Sequence, residues 1–350
     1  MSDVLELARK LVPHSIKYEE IVHQRNFRQV LHLRLFNNTV YLLNGMKGEP
    51  RHFDIVAQLM DLKDTGYVLP NVEFKYYTMD TVTLQDTSID GPAFAFWDDE
   101  VFGNLSKRIL APSCWFNGQN SGLFMNNSPF ISYQDQMNSI TSFASNESMS
   151  FLNKENCLIF KGQVGLYPHR KKIIEELRHK ICTVSEFLVH ERGHRVAAEG
   201  NTQYQNPMKN LSKYRYQLVT NGAPGDDKIR LSGTCRAKYM LATGGIVFYV
   251  TDGKPRNEWW QHSPESKGLI QYCENTDKLV EKISYFESNL KEASKLSEEG
   301  LKFAKEYLHT DNVRRYWKAL LEVYKERCEF IIEGPNGMPL RDKQHAQSLI

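Results

Sequence analysis

The chain has 350 residues, of which 41% are hydrophobic and 25% charged, with a formal net charge of +2. This length allows two domains of ordinary size, and the composition is that of a folded protein rather than a disordered one. The small net charge argues against a nucleic-acid binder held by bulk electrostatics, so a local basic patch would serve a small anionic ligand.

Cysteine usage and the character of the first residues indicate a compartment. The six cysteines are scattered, with no CxxC pair and no cluster of histidines. This spacing favours free thiols over a zinc site or a disulfide framework. The first twenty residues contain acidic side chains and no apolar core, unlike a signal peptide, and no apolar run reaches the length of a membrane span. We therefore expect a cytoplasmic protein without a membrane span.

Apolar periodicity predicts a mixture of helices and strands in the first 100 residues. The predicted helices are 3–12, 16–30 and 51–62, and the predicted strands are 29–36, 39–44, 72–77 and 93–97. Asn37-Asn38 is a natural turn pair between the first two strands. The stretch 113–150 is rich in Asn, Ser, Gly and Gln with weak periodicity, which predicts a domain boundary or a substrate loop.

After residue 150, strands alternate with helices. The predicted strands are 157–160, 183–189, 214–219 and 246–250, and the predicted helices are 170–180, 234–243 and 277–327, the last broken near Gly300 and at 309–311. The run 246–250 fits a buried parallel strand. This alternation predicts a doubly wound α/β domain.

The first candidate phosphate site is a strand, a glycine-containing loop and a helix start. It comprises Phe160-Lys161-Gly162 followed by Pro168-His169-Arg170-Lys171-Lys172. Helix N-termini favour anions, and basic side chains there are unusual because the helix dipole prefers acidic ones. Lys161 and the basic run Arg170–Lys172 therefore suit a bound diphosphate. On this motif alone, a solvated basic helix start is an equally good interpretation.

The second candidate is Ser232-Gly233-Thr234-Cys235-Arg236, directly before a predicted helix. Arginine offers a rigid donor fork that matches phosphate oxygens. Two such junctions at the carboxyl ends of strands favour one shared anion site over either alone. Neither matches the GxGxxG fingerprint or a Walker loop, which argues against an NAD enzyme or a P-loop NTPase.

Several motifs occur in the order of one known family. From residue 160 onward they are Phe160-Lys161-Gly162, Pro168-x-Arg170, Lys213-Tyr214-x-Tyr216, Asn221-Gly222, Thr234-Cys235-Arg236, Leu241-x-x-Gly244-Gly245-Ile246-Val247 and Glu258-Trp259-Trp260, with Gly300, Phe303-Ala304, Asp311 and Tyr316 in the tail. A thinner match in the first half comprises Thr78-Met79-Asp80, Pro92–Phe96, and Pro112 with Trp115. This series resembles the Rumi/KDEL-containing protein O-glucosyltransferase and capsule-associated xylosyltransferase family, glycosyltransferase family ninety. The resemblance covers roughly residues 72–324 and is most specific after residue 160.

The resemblance implies a fold and a reaction. The fold is α/β of the GT-B type, in which two Rossmann-like domains face a cleft. The boundaries we predict are 1–150 for the acceptor-side domain, 151–309 for the UDP-sugar domain, and 310–350 for a C-terminal helix and tail that pack back on the first domain. The implied reaction is the inverting, metal-independent transfer of glucose or xylose from a UDP-sugar to a hydroxyl of a glycan or a cytoplasmic glycoprotein. No metal or other cofactor is expected.

The resemblance also implies roles for individual residues. Asp80 would be the catalytic base, since a hydroxyl that attacks an anomeric carbon must lose its proton; Asp98, Asp99 and Glu100 are nearby rivals. Fixed cationic donors would stabilise the charge that develops on the departing UDP. The implied donor-binding residues are Lys161, Gly162, Arg170, Thr234, Cys235, Arg236 and Glu258. The acceptor-side candidates are Trp97, Asp98 and Trp115.

Two interpretations remain beside the leading one. Lys161 stands where the family has arginine, which motivates a catalytically degenerate relative that binds glycans or acts as a scaffold. Another nucleotide-sugar enzyme, such as an epimerase or dehydrogenase, would need the dinucleotide fingerprint that this sequence lacks. Trp259 and Trp260 could stack on a sugar, but most aromatic residues fill cores, and we favour the core.

Overall fold

The computed structural model describes the chain in segments. These are residues 4–22, 30–45, 50–78, 92–96, 108–113, 116, 132–162, 164, 168–181, 184–191, 209–221, 236–251 and 255–350. Their strands form two sheets, one of six strands and one of five, with helices packed against both. The fold is therefore mixed α/β, as the sequence predicts; the GT-B arrangement and the domain boundaries remain predictions.

The first half of the chain supplies most of the six-stranded sheet. Its elements are α1 (Val4–Leu11), α2 (Tyr18–Val22), β1 (Val30–Phe36), β2 (Thr39–Asn44), α3 (Pro50–Asp64), β3 (Val72–Tyr77), β4 (Ala93–Ala95), β5 (Arg108–Leu110) and α4 (Tyr133–Ala144). The strand order is β2-β1-β3-β4-β5, with one further strand added outside β2. Because β3, β4 and β5 are parallel, their carboxyl ends meet at one edge of this sheet.

The β1–β2 hairpin follows from its sequence. Asn37 and Asn38 both have positive φ, 46° and 59°, the geometry of the tight turn that joins twisted antiparallel strands. Along β1 the leucines enter the main core, while His32 and Arg34 lie on the other face and bind Glu73 of β3. Burial alone would raise the pKa of Glu73, but the hydrogen bonds from His32 and Arg34 outweigh it, and that pKa is lowered.

The second half contains the five-stranded sheet. Its elements are β6 (Glu155–Gly162), α5 (Pro168–Lys180), β7 (Glu186–Glu191), β8 (Tyr214–Thr220), α6 (Arg236–Ala242), β9 (Ile246–Val250), β10 (Ile270–Cys273), α7 (Thr276–Ser288), α8 (Leu290–Glu306), α9 (Thr310–Arg327), β11 (Met338–Leu340) and α10 (Lys343–Leu349). The order is β10-β9-β8-β6-β7, and every neighbouring pair is parallel. The parallel sheet that the sequence predicts is confirmed.

Helices cover both faces of this sheet. On one face Leu158 and Phe248 belong to an apolar cluster with residues of α5 and α7. On the other face Ile159 and Val247 belong to the main core with residues of α6. Burial on both faces explains why β9 is a continuous apolar run rather than an alternating one.

The C-terminal helix α9 packs against the six-stranded sheet. The hydroxyl of Tyr316 donates to the Leu110 carbonyl at 2.6 Å, and that of Tyr324 donates to the Glu73 carbonyl at 2.9 Å. The indole of Trp317 donates to Gln58 of α3 at 2.9 Å. Strand β11 then pairs antiparallel with β2 and becomes the edge strand outside it. The end of the chain therefore completes the core of the first half.

Three predictions about local structure were wrong. The loop-like stretch 113–150 contains α4, whose Tyr133, Met137, Ile140 and Ala144 form a buried stripe. Gly300 does not break a helix but lies inside α8, and the break comes earlier, at Asn289. The helix predicted over 16–30 comprises only α2 in the described residues, and by Val30 the chain is already in β1.

Two further findings concern the cysteine thiols and membrane-spanning helices. Cys157, Cys273 and Cys328 carry free thiols, as predicted, and burial raises the pKa of each to about 12, 11 and 12 respectively. Among the residues that the structure describes, no helix combines the length and the apolar character that crossing a membrane requires.

Candidate active site

The carboxyl edge of the five-stranded sheet brings together Lys161, Gly162, Arg170 and Arg236. Strand β6 ends at Gly162, and its neighbour β8 is followed by Asn221. Helix α5 carries Arg170 in its first turn, and α6 begins at Arg236. Loops and helix starts at this edge of a parallel sheet are where such folds bind ligands.

Arg170 is fixed to the end of β8. Its side chain is buried, and its Nε and Nη2 atoms donate to the carbonyl oxygen of Asn221 at 3.0 and 2.8 Å. The amide of Asn221 in turn donates to Thr251 at 2.6 Å and accepts from the Tyr249 hydroxyl. The first turn of α5 is thereby tied to the ends of both β8 and β9, which gives the guanidinium a defined place.

Arg236 is fixed to the end of β6. Its Nη1 atom donates to the Lys161 carbonyl oxygen, and it passes directly over Gly162. A Cβ atom on Gly162 would lie 2.6 Å from that Nη1 atom and 2.8 Å from Cζ of Phe160. Only glycine leaves this space, so the glycine of the first motif and the arginine of the second belong to one arrangement. The two guanidinium groups are held at the ends of β6 and β8, which are neighbouring strands of the sheet.

Glu258 lies in a buried polar cluster away from solvent. Its carboxylate accepts from Nζ of Lys238 at 2.8 and 3.0 Å, from Nε1 of Trp260 at 2.7 Å and from the Ser113 hydroxyl at 2.8 Å. Glu258 is 1% exposed and Lys238 is fully buried. Both carboxylate oxygens therefore accept protein donors. Nζ of Lys238 also lies 4.4 Å from the ring centroid of Phe116.

Sequence reasoning missed Lys238 and Ser113. Lys238 lies among apolar residues in the helix sequence Arg-Ala-Lys-Tyr-Met-Leu-Ala. All the residues of this helix that follow the arginine are buried. A charged residue that interrupts an apolar helix needs a buried partner, and this pattern could have indicated one. The contact of Ser113 with Glu258 could not be predicted from the sequence, because the two residues are 145 positions apart.

The two adjacent tryptophans fill the core. Trp259 and Trp260 are fully buried, and the Trp259 ring stacks on Tyr316 of α9 with centroids 4.1 Å apart and planes 7° from parallel. The interpretation of these residues as core is confirmed.

Six predicted site residues lie outside the described residues. They are Asp80, Trp97, Asp98, Trp115, Thr234 and Cys235. The chain is described as far as Thr78, which is buried just past β3 and whose carbonyl accepts from Arg51 at 3.0 Å. The roles of these six residues remain predictions.

Two comparisons with known proteins identify the family of this chain. The model of the family described as Glycosyl transferase family 90 matches residues 18–343, nearly the whole chain. The chain belongs to glycosyltransferase family 90. Protein O-glucosyltransferase 1 of Homo sapiens is 25% identical to it over 129 residues, which are 36% of this chain and 30% of that protein. The family resemblance inferred from the motifs is thus confirmed, while the similarity to that relative covers less than a third of the relative's length.

Proposed function

We propose that this family 90 glycosyltransferase moves glucose or xylose from a UDP-sugar to a hydroxyl, with inversion and without a metal. The observation that carries the proposal is the pair of guanidinium groups, Arg170 and Arg236, fixed at the ends of adjacent parallel strands. The acceptor is a glycan or a glycoprotein. Lys161 and Gly162 complete the donor side on β6, and Thr234 and Cys235 immediately precede Arg236 in the chain.

Two fixed guanidinium groups suit the chemistry of the leaving group. UDP gains negative charge as the glycosidic bond breaks, and donors already held in place stabilise that charge without reorganising. Arginine forks match phosphate oxygens and stay protonated at any physiological pH. They supply the charge neutralisation that a divalent cation provides in other transferases. UDP already leaves well, so the reaction needs a base but no general acid.

The proposed base follows a strand of the other sheet in the chain. Strand β3 ends at Tyr77, and Asp80 comes two residues after Thr78 in the sequence. The acceptor-side candidates Trp97 with Asp98, and Trp115, come after β4 and β5 in the same way. Since β3, β4 and β5 are parallel, all three segments leave the sheet from one edge. Asp80 would take the proton of the attacking hydroxyl.

Calorimetry with UDP in the presence of EDTA tests the donor site. Wild-type protein should bind UDP, and Arg236→Ala should lose at least about tenfold in affinity while keeping its melting temperature. Lys295→Ala is the matched control, because Lys295 is an exposed cation of α8 whose side chain is 76% exposed. Undiminished UDP affinity in a folded Arg236→Ala variant would refute the assignment.

Turnover then separates an enzyme from a degenerate relative. UDP-glucose and UDP-xylose are each incubated with the protein in EDTA, and released UDP is measured. Release that continues in EDTA supports the metal-independent reaction, and the faster donor identifies the sugar. UDP binding with no release from either donor would favour the glycan-binding interpretation instead.

A further inference from the structure

A polar cluster joins the two sheets through the protein interior. This bridging cluster consists of Ser113, Lys238, Glu258 and Trp260, all at most 1% exposed. Ser113 belongs to the segment that follows β5 of the six-stranded sheet, and the other three belong to the second half. The Ser113 hydroxyl reaches Glu258 at 2.8 Å, and Glu258 holds Lys238 at 2.8 Å.

Stability alone is a poor reason for this arrangement. Burying a lysine and a glutamate costs several kcal/mol of solvation per ion, and well-packed apolar residues often stabilise a core as well or better. Buried ion pairs are best explained where they fix one arrangement among several. Here Glu258 also accepts a hydrogen bond from Ser113 in the opposite half of the chain, so the buried pair constrains how the two sheets are aligned.

Lys238 connects this constraint to the donor site. It follows Arg236 by two positions on α6, and at about 100° per residue the two side chains leave opposite sides of the helix. Arg236 therefore reaches the end of β6 while Lys238 anchors the opposite side of α6 to Glu258. A shift of Glu258 relative to α6 would rotate or displace the guanidinium.

Ser113 connects the same constraint to the acceptor edge. Its backbone carbonyl accepts from Gln58 at 2.9 Å, and Gln58 is itself bound by Trp317, so the segment after β5 is fixed to α3 and α9. This segment leaves the sheet at the edge that also carries the end of β3.

We propose that Ser113, Lys238 and Glu258 are positioning residues, which align the acceptor edge of the first sheet with Arg236 of the donor site. The inference rests on the proposed function. A hydroxyl and an anomeric carbon react only when held in near-attack geometry, and a misplacement of about 1 Å can cost on the order of 100-fold in rate. Glu258 in this view acts on the donor through Lys238 and α6.

Ser113→Ala tests the inference by removing one oxygen atom. We expect kcat for transfer to fall about tenfold, while the Kd for UDP changes less than about twofold, because the donor residues all lie in the second half. Ser297→Ala is the matched control: Ser297 is also buried, and its hydroxyl donates to the Gly244 carbonyl at 2.7 Å, remote from Ser113 in the chain. It should lower the melting temperature by a similar amount and leave kcat unchanged.

The outcomes separate the inference from the function on which it rests. Wild-type turnover with an unchanged kcat in Ser113→Ala overturns the positioning role, whatever happens to the melting temperature. An equal loss of kcat in Ser297→Ala overturns it too, since a general loss of rigidity would then explain both. No UDP binding and no turnover in the wild type would refute the proposed function itself, and the positioning role with it.

Discussion

The Nη1 atom of Arg236 occupies the space beside Gly162 that any side chain would need, 2.6 Å from the position of a Cβ atom. The strand and the helix that carry these residues are joined by the bond from the same Nη1 to the Lys161 carbonyl. The glycine therefore acts by being small rather than by unusual backbone geometry. Its replacement changes the donor site directly.

Gly162→Ala should displace the Arg236 guanidinium, because the far end of a flexible side chain moves more easily than the strand. We expect the affinity for UDP to fall about tenfold, measured by calorimetry, and the melting temperature to fall as well, because the buried Phe160 ring must also shift. Gly334→Ala is the control, since no atom lies within 4 Å of a Cβ at that position. Wild-type affinity in Gly162→Ala would show that UDP does not need Arg236 where the structure places it.

Asp80→Asn should separate donor binding from chemistry. The amide keeps the size of the carboxylate but cannot take a proton, so we expect transfer to fall at least about 100-fold, within the range that general base catalysis contributes. UDP affinity should stay within about twofold of wild type. Measurements of transfer rate and UDP affinity on the same preparation decide the matter, and near-normal turnover would move the base to Asp98, Asp99 or Glu100.

Lys238→Met should destabilise the protein strongly. It leaves the Glu258 carboxylate buried without its cation, which costs about 3–5 kcal/mol in comparable buried pairs. The double variant Lys238→Met/Glu258→Gln should recover part of that loss, because no unpaired charge remains. Urea unfolding of the two single variants and the double variant gives the coupling energy, and strict additivity would contradict the pairing.

Because Lys154 is buried, we expect the free energy of unfolding to rise with pH. Its Nζ atom donates to the carbonyls of Ser212 and Thr243, and burial lowers its pKa to about 8. In the unfolded chain this lysine has an ordinary pKa of about 10.4, so between about pH 8 and 10.4 the unfolded chain binds more protons than the folded one. Stability therefore rises with pH in that window. Below about pH 8 the full cost of the buried charge is present.

Buried thiols and tyrosines whose pKa is raised lower the stability of the fold as pH rises above about 9. The test therefore compares wild type with a variant, so that the contributions of these groups cancel. The free energy of unfolding of wild type minus that of Lys154→Met should grow by about 1–2 kcal/mol from about pH 7.5 to about 9.5. The same difference taken with the exposed Lys295→Met should stay flat. A flat profile for Lys154 would place its folded pKa near the ordinary value.

Local chemistry explains what the sequence could predict. The turn at Asn37-Asn38 and the strand β9 follow from the local preferences of their residue types. The sequence predicts both with correct bounds. Gly162, Arg170 and Arg236 could be proposed as a shared site because all three occur where a strand ends or a helix begins. Parallel strands then bring such positions together at one edge.

Longer-range packing explains what the sequence could not supply. Gly300 suggested a helix break, yet it lies inside α8. Close packing explains why the residue is a glycine, since a Cβ there would lie 3.3 Å from Cδ2 of Leu241. Helix α4 was hidden by the Asn- and Ser-rich residues around it, although Tyr133, Met137 and Ile140 already had helical spacing. The bridging cluster depends on Ser113, whose partner is decided by the arrangement of the two halves.

The contacts of α9 and β11 bear on how the protein is made. Tyr316 and Tyr324 close the core beneath β3 and β5, and β11 covers the edge of β2. On a ribosome, these elements emerge after the whole five-stranded sheet has been synthesised. The sheet that is translated first is therefore completed last, since its core closes only after residues 310–340 have been made.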